Sequence, residues 1–185
     1  KYKSSNRFQK DKEFWNSLFD ENIFDDVFSA NLNTTSTITF EASRAEFKLS
    51  KAFTEKIVHF CKEINTSPFT LILFLMGIYE GKIKQTNNVV LSSPILNRTS
   101  MKEKETFGLF VNNMLYKLNI DYNSSFYECI QELNKCQFSY FRHQKYPYQT
   151  LVEDIKNKFN IRENLYSASV SYQNARMNHS QDNID

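Results

Sequence analysis

In two places along this chain, a pair of predicted helices separates two predicted strands. The first pair lies between extended sequence ending near Leu49 and residues 88–95, which are predicted to form a buried strand because residues 89–91 are consecutively apolar. The second pair lies between predicted strands at 107–119 and 166–173. Each pair is long enough for the chain to return parallel to the strand it left. This order predicts an α/β fold in which helices pack on a mixed sheet.

Cap residues and helical spacing locate the helices. The first candidate covers 11–20, and its apolar stripe consists of Phe14, Trp15, Leu18 and Phe19. Ser50 is a predicted N-cap. Ser67 precedes Pro68, which suits the first helical position because its missing N–H would have no partner there. This helix should run to about residue 84 and be buried on nearly all sides.

The second helix pair begins with a sequence typical of a capping box. Ser125 is followed three residues later by Glu128, so each side chain is predicted to bond the backbone N–H of the other. Pro147 is predicted to start the last helix. A charged loop should precede the strand at 107–119.

The charge distribution excludes several classes of partner. The net charge is +2, and the run at 102–105 alternates Lys and Glu, so no clustered basic face for nucleic acid is predicted. The most apolar run, 69–79, is far shorter than the roughly 20 residues that span a bilayer, and no signal peptide is visible. The three cysteines include no CxxC pair, which favours a reducing, cytoplasmic setting without a metal site.

Glycine is too scarce for a phosphate-binding loop. The chain has 3 glycines, whereas average usage would give about 13. Phosphate loops need closely spaced glycines, so the sequence argues against nucleotide-binding folds. The sequence has no GxSxG or HExxH motif, and His59, His143 and His179 are far apart. The residues alone therefore predict an α/β lobe without a self-contained active site.

Five stretches, in order, resemble motifs of the C-terminal lobe of nonribosomal peptide synthetase condensation domains. They are Lys10-Asp-Lys-Glu-Phe-Trp15, Asn88-Val-Val-Leu-Ser-Ser-Pro-Ile-Leu-Asn-Arg98, Phe107-Gly-Leu-Phe-Val-Asn-Asn-Met-Leu115, His143-Gln-Lys-Tyr-Pro-Tyr-Gln149 and Tyr172-Gln-Asn174. The resemblance implies one lobe of a chloramphenicol-acetyltransferase-like fold. Residues 1–185 would form that single lobe, with 1–30 as a leading helix segment and 175–185 as a flexible tail.

The resemblance also implies a reaction and its partners. Two such lobes form a V, and an aminoacyl amine on a downstream peptidyl carrier protein attacks a thioester on an upstream one. Phosphopantetheine is carried by these proteins, and an adenylation domain is adjacent. The family's HHxxxDG motif belongs to the N-terminal lobe and does not occur in this sequence. We therefore expect no catalytic residue here, a chain that is a piece of something longer, and no activity in isolation.

The resemblance marks Gly108, Asn112 and Asn113 as candidates for the substrate tunnel. A side-chain amide there would hydrogen-bond a pantetheine arm or orient the substrate. The alternative is structural: Gly108 would permit a close backbone approach, and the asparagines would satisfy strand ends. Asn113 stands where the family usually has Thr.

Four further motif residues are predicted to be structural. Arg98 would hold a buried ion pair. His143 would lie at a helix C-terminus, where the helix dipole favours a cation, and Gln144 would tie the following turn. Pro147 would begin the next helix.

Other functions remain open at this point. Epimerisation, cyclisation and acyl-transfer domains share the fold and differ mainly in the other lobe. A non-catalytic docking module is a further alternative. Surface left uncovered by the absent lobe would also favour self-association of the isolated chain.

Overall fold

The computed structural model describes residues 2–19, 42–160, 164–166 and 168–173. After a short 3-10 turn, the helices are α1 Asn6–Leu18, α2 Lys51–Glu63, α3 Pro68–Lys84, α4 Met101–Glu105, α5 Phe126–Arg142 and α6 Tyr148–Phe159. The strands are β1 Asn88–Ile95, β2 Asn112–Asn119 and β3 Ala168–Ser169.

The three strands form a mixed sheet in the order β2-β1-β3. β1 and β2 are antiparallel, with Ile95 opposite Asn112 at the end nearer the loop that joins them. β3 runs parallel to β1, and Leu91 lies opposite Ala168. The second helix pair thus returns the chain in parallel, and the predicted α/β class with a mixed sheet is confirmed.

Serine caps begin the helices where the sequence predicts. The hydroxyl oxygens of Ser50, Ser67 and Ser125 each accept a hydrogen bond from the backbone N–H three residues later, at 3.0–3.2 Å. Each such cap stabilises its helix by about 1 kcal/mol, because it satisfies an N–H that has no partner within the helix. α1 begins earlier than predicted, at Asn6, because Ser5 caps it.

Helix α3 packs one face on the sheet and leaves the other uncovered. Its glycines allow the close approach, since a Cβ on Gly77 would lie 2.8 Å from the Leu118 side chain. The opposite face has four exposed apolar side chains: Ile72, Leu75, Tyr79 and Ile83. The prediction that this helix is buried on nearly all sides is therefore wrong, because no described element packs on that face.

Three predicted segments differ from the structure. Residues 42–49 are exposed and have no regular structure, so the strand predicted to end near Leu49 is not found in them. The strand predicted at 107–119 begins only at Asn112, and the charged loop before it contains α4. Of the strand predicted at 166–173, the described residues form a strand at Ala168–Ser169, which pairs with β1. Residues 20–30 of the predicted leading helix segment and the predicted tail 175–185 lie outside the described residues.

The core lies between the sheet and the helices. Its large side chains include Trp15 and Phe19, each 2% exposed, as the predicted apolar stripe of the first helix requires. Fully burying a side chain of this kind stabilises the fold by about 1.5–3 kcal/mol. No helix within the described ranges is both long and apolar enough to cross a membrane.

Candidate functional site

Three of the sequence motifs meet at the end of the sheet where β1 ends and β2 begins. We call residues 96–111 the connecting loop, because they join these two strands, and residues 143–147 the interhelix turn, because they join α5 to α6. Arg98 lies near the beginning of the connecting loop, and Asn112 follows its end. The interhelix turn contains the His143–Pro147 motif and lies against both strand ends.

Asn112 joins β2 to the interhelix turn through three hydrogen bonds of its side-chain amide. Its Nδ2 donates to the carbonyls of Gln144 and Tyr146, at 3.1 and 2.8 Å. Its Oδ1 accepts from the backbone N–H of Tyr148, at 3.1 Å. Pro147 is the N-cap of α6 and offers no side-chain hydrogen bond. Asn112 therefore supplies from another element the cap that this helix lacks.

Asn113 and Gly108 have different surroundings. Within the described part of the chain, the partly buried Asn113 amide has no hydrogen bond, so both its donors and its acceptor remain available.

Gly108 has a φ of 145°, which side-chain-bearing residues rarely adopt. A Cβ there would meet only Phe110, at 3.6 Å, so backbone conformation rather than close approach explains the glycine. The tunnel roles of Gly108, Asn112 and Asn113 stay predictions.

Arg98 organises the connecting loop from within. Its guanidinium donates to the carbonyls of Glu103, Thr106 and Gly108, with distances of 2.7 and 2.9 Å for the last two. It also lies over the Phe110 ring, 4.1 Å from the centroid. These carbonyls, and not the predicted ion pair, are its partners among the described residues. β1 ends at Ile95, opposite Asn112, so residues 107–111 have no partner in β1 and β2 is shorter than predicted.

Lys145 binds the connecting loop from the interhelix turn. Its ammonium lies 2.7 Å from Oε1 of Glu103 and 2.8 Å from the Asn97 carbonyl oxygen. The other carboxylate oxygen, Oε2, accepts from the backbone N–H groups of Thr99 and Ser100, at 2.7 and 3.1 Å. The Lys145 ammonium, followed by these N–H groups, lowers the pKa of Glu103 to about 2.

A buried carboxylate ties α1 to the same turn. Asp11 is fully buried, and its oxygens contact the Tyr2 hydroxyl at 2.5 Å, the Arg7 Nε at 2.9 Å and the His143 Nδ1 at 2.7 Å. A buried carboxylate needs such partners, because desolvation without them would be costly. Three donors around one charge therefore fix the angle of α1 against the interhelix turn.

His143 is enclosed by aromatic side chains. It is the C-cap of α5, and its ring stacks on Phe14 at 4.0 Å with an interplanar angle of 10°. The indole N–H of Trp15 donates to the His143 carbonyl at 2.9 Å. Gln144 ties back to the helix end, because its Nε2 donates to the Phe141 carbonyl at 2.8 Å.

Sequence reasoning missed Asp11, Glu103 and Lys145. Asp11 had a signal, since it lies four residues before Trp15 and so on the same face of α1. Glu103 had a signal as well, because Ser100 precedes it at capping-box spacing. Lys145 had none, because its partners come from a distant part of the chain.

The connecting loop presents apolar side chains to solvent. Five of them are more than half exposed: Leu96, Met101, Phe107, Leu109 and Val111. The loop is held by Arg98 and Lys145, so these side chains are presented from a fixed backbone. An ordered apolar surface of this kind is typical of a place where another molecule or domain packs.

A separate cavity of about 660 Å³ lies between β2 and α5, and none of the predicted site residues line it. Cys129 and Cys136 contribute to its wall. Burial raises the pKa of both thiols, which lowers the fraction of reactive thiolate. No metal-binding group of His, Cys, Asp or Glu side chains is found among residues 2–19, 42–160, 164–166 and 168–173.

Comparison with known proteins gives consistent matches. The family model described as the condensation domain matches residues 1–185. The chain is 31% identical over 172 residues to surfactin synthase subunit 1 of Bacillus subtilis (strain 168), and it covers 5% of that protein. It is 29% identical over 188 residues to one of the plipastatin synthase proteins of the same organism, and it covers 7% of that protein. In both matches at least 93% of this chain is aligned.

A solved structure shares the fold. The first condensation domain of the CDA synthetase superposes with a TM-score of 0.71 at 15% identity, over 92% of this chain and 35% of that one. This likeness confirms the fold class predicted from the sequence motifs.

Proposed function

This chain belongs to the condensation domain family, and we propose that it forms the C-terminal lobe of a condensation domain that makes peptide bonds in a nonribosomal peptide synthetase. In this proposal residues 1–185 supply one wall of a tunnel between two lobes. The three-way hydrogen bonding of Asn112 carries the proposal, because it holds the motif at 107–115 against the motif at 143–149. The exposed connecting loop beside it then faces the other lobe.

The proposed reaction joins two thioester-bound substrates. The amine of the aminoacyl group on the downstream carrier attacks the thioester carbon on the upstream carrier. A C–N bond forms, the C–S bond breaks, and the pantetheine thiol leaves with a proton while the amine loses one. The surfactin and plipastatin synthase matches support this reaction class.

The residues of this chain position substrate and do not transfer the proton. The imidazole of His143 is occupied, because its Nδ1 contacts Asp11 and its face stacks on Phe14. The proton-handling group therefore comes from the HHxxxDG motif of the other lobe. The amide of Asn113, at the start of β2, has no hydrogen bond within the described part of the chain, and we assign it the contact with the amides of the pantetheine arm.

Partners follow from the same proposal. Upstream and downstream peptidyl carrier proteins present phosphopantetheine-linked substrates, and an adjacent adenylation domain selects the amino acid in the cytoplasm. The chain itself binds the cofactor only as part of a carrier-linked substrate. The family match and the apolar connecting loop support this arrangement.

The proposal is tested in the full-length protein that contains this chain. Its carriers are converted to the phosphopantetheine form and loaded with amino acids, and peptidyl thioesters are measured by mass spectrometry. We expect Asn113→Ala to slow product formation by about five- to tenfold, the value of one hydrogen bond. The matched control is Asn119→Ala, at the far end of the same strand.

Two results would oppose the proposal. If the loaded wild-type protein forms no peptide but still binds its carriers, the chain belongs to a docking module. If Asn113→Ala and Asn119→Ala give the same rate as wild type, the amide of Asn113 has no part in substrate binding.

A further inference from the structure

Lys145 bridges two segments that the rest of the site leaves weakly connected. Arg98 holds the connecting loop together internally, but the carbonyls to which its guanidinium donates all lie within that loop. Asn112 fixes only the end of the loop, where β2 begins. The contacts of Lys145 with Asn97 and Glu103 instead hold the beginning and the middle of the loop to the interhelix turn.

The backbone at the start of the loop is built for this contact. Asn97 has a φ of 54°, in the left-handed region that asparagine tolerates better than most residues. That conformation turns the chain out of β1, and the Asn97 carbonyl accepts from Lys145 at 2.8 Å. The residue that turns the chain out of β1, Asn97, is therefore also the residue whose carbonyl binds the Lys145 ammonium.

Glu103 makes this contact specific for a cation. Its Oε2 is used by the N–H groups of Thr99 and Ser100, which leaves Oε1 for the Lys145 ammonium, at 2.7 Å. The carboxylate thus stabilises the first turn of α4 and accepts the bridge from the interhelix turn at the same time. Both side chains of the pair are 27% exposed, so they remain in contact with solvent.

We propose that Lys145 is a positioning residue, which acts through Glu103 and Asn97 to hold the connecting loop where it lines the substrate path. The role in the substrate path rests on the proposed function, whereas the positioning of the loop rests only on the observed contacts. Without the ammonium, the hydrogen bonds of Asn112 are the remaining side-chain bonds to the interhelix turn among the described residues of this loop and the start of β2. The apolar side chains of the loop, such as Phe107 and Leu109, then lose their fixed orientation.

The first experiment measures loop order by hydrogen exchange in the full-length protein. We expect Lys145→Met to speed exchange of amides in residues 96–111 by about fivefold, the scale of a partly exposed ion pair. Lys145→Arg keeps the charge and should restore slow exchange. The matched control is Lys104→Met, which removes an exposed lysine from α4.

A double-mutant cycle tests the partner. Glu103→Gln keeps an oxygen for the N–H groups of Thr99 and Ser100 but removes the charge that Lys145 contacts. We expect Lys145→Met and Glu103→Gln each to loosen the loop, and the double variant to loosen it no further than Lys145→Met alone, because Lys145→Met already removes the contact with Glu103. Fully additive effects, or exchange in Lys145→Met equal to wild type, would overturn the positioning role.

The second experiment measures the consequence for substrate. With aminoacyl-N-acetylcysteamine thioesters of the twenty standard amino acids as acceptor probes, we expect Lys145→Met to raise KM by about fivefold and to change kcat less. Rescue by Lys145→Arg would show that the effect comes from the lost charge. An unchanged melting temperature of Lys145→Met would show that this variant is not misfolded. A looser loop with an unchanged KM would overturn the link to substrate. Absence of product from wild type would instead refute the proposed function and leave the exchange result to decide the positioning.

Discussion

The carboxylate of Asp11 lies 2.7 Å from Nδ1 of His143, although 132 residues separate them in the chain. Asp11 is fully buried in α1, whereas the His143 side chain is 22% exposed at the end of α5. The pair therefore connects the leading helix to the interhelix turn, which contains Lys145 and is bound by Asn112. The position of the candidate site depends in this way on a helix far from it in sequence.

Removing the Asp11 charge should destabilise the protein. We expect Asp11→Asn to lower the free energy of unfolding by about 2 kcal/mol, because an amide cannot replace the charge-assisted bonds to Arg7 and His143. Urea denaturation measures the change. Glu13→Gln, an exposed position on the same helix, should stay within about 0.5 kcal/mol of wild type. Equal stability of the two variants would show that the buried carboxylate of Asp11 contributes little to the free energy of unfolding.

The Glu103 carboxylate should remain ionised in acid. Its pKa is lowered to about 2 from an ordinary value of 4.5, mainly by Lys145. A depressed folded-state pKa means that the contribution to stability is present above pH 4.5 and is lost as the pH falls through 2. Carboxyl NMR titration should give a midpoint near 2 in wild type and a higher one in Lys145→Met. A wild-type midpoint near 4.5 would contradict the contact.

Gly81 should tolerate alanine less well than Gly77 does. A Cβ on Gly81 would lie 2.8 Å from the backbone oxygen of Thr86, whereas on Gly77 it would meet the flexible Leu118 side chain at the same distance. A backbone clash cannot be relieved by a rotamer change, so we expect Gly81→Ala to cost about 1–2 kcal/mol more than Gly77→Ala. Thermal unfolding of both variants provides the comparison. A smaller loss for Gly81→Ala would contradict the close packing.

The uncovered face of α3 should drive self-association of the isolated chain. Leu75 and Ile83 lie on this face and are 49% and 61% exposed. We expect light scattering to show oligomers as concentration rises, and Leu75→Lys to weaken association by about tenfold, as loss of one apolar contact implies. Gln9→Lys adds the same charge on α1 and serves as the control. If the isolated chain is a monomer at every concentration, the exposed apolar face of α3 does not drive self-association.

Local patterns predicted much of the architecture. Ser50, Ser67 and Ser125 are N-caps because a hydroxyl three residues before an N–H can reach it whatever surrounds the helix. The buried strand at 88–95 could be predicted because consecutive apolar residues, with no polar residue between them, are typical of a strand that is covered on both faces. The start of β2 could not be predicted, since it depends on where the neighbouring strand β1 ends, at Ile95 opposite Asn112.

The candidate site could likewise be predicted only in part. Its motif residues could be identified in the sequence, because their order and spacing are properties of the chain itself. Their roles depended on partners brought together by folding: Asn112 caps α6 across 36 residues, and Lys145 reaches Glu103 across 42. A hydrogen bond depends on distance and angle in space. Sequence could therefore determine which residues were present and which helices they would begin, whereas only the packed structure decided which asparagine amide bonds the interhelix turn and which cation holds the loop.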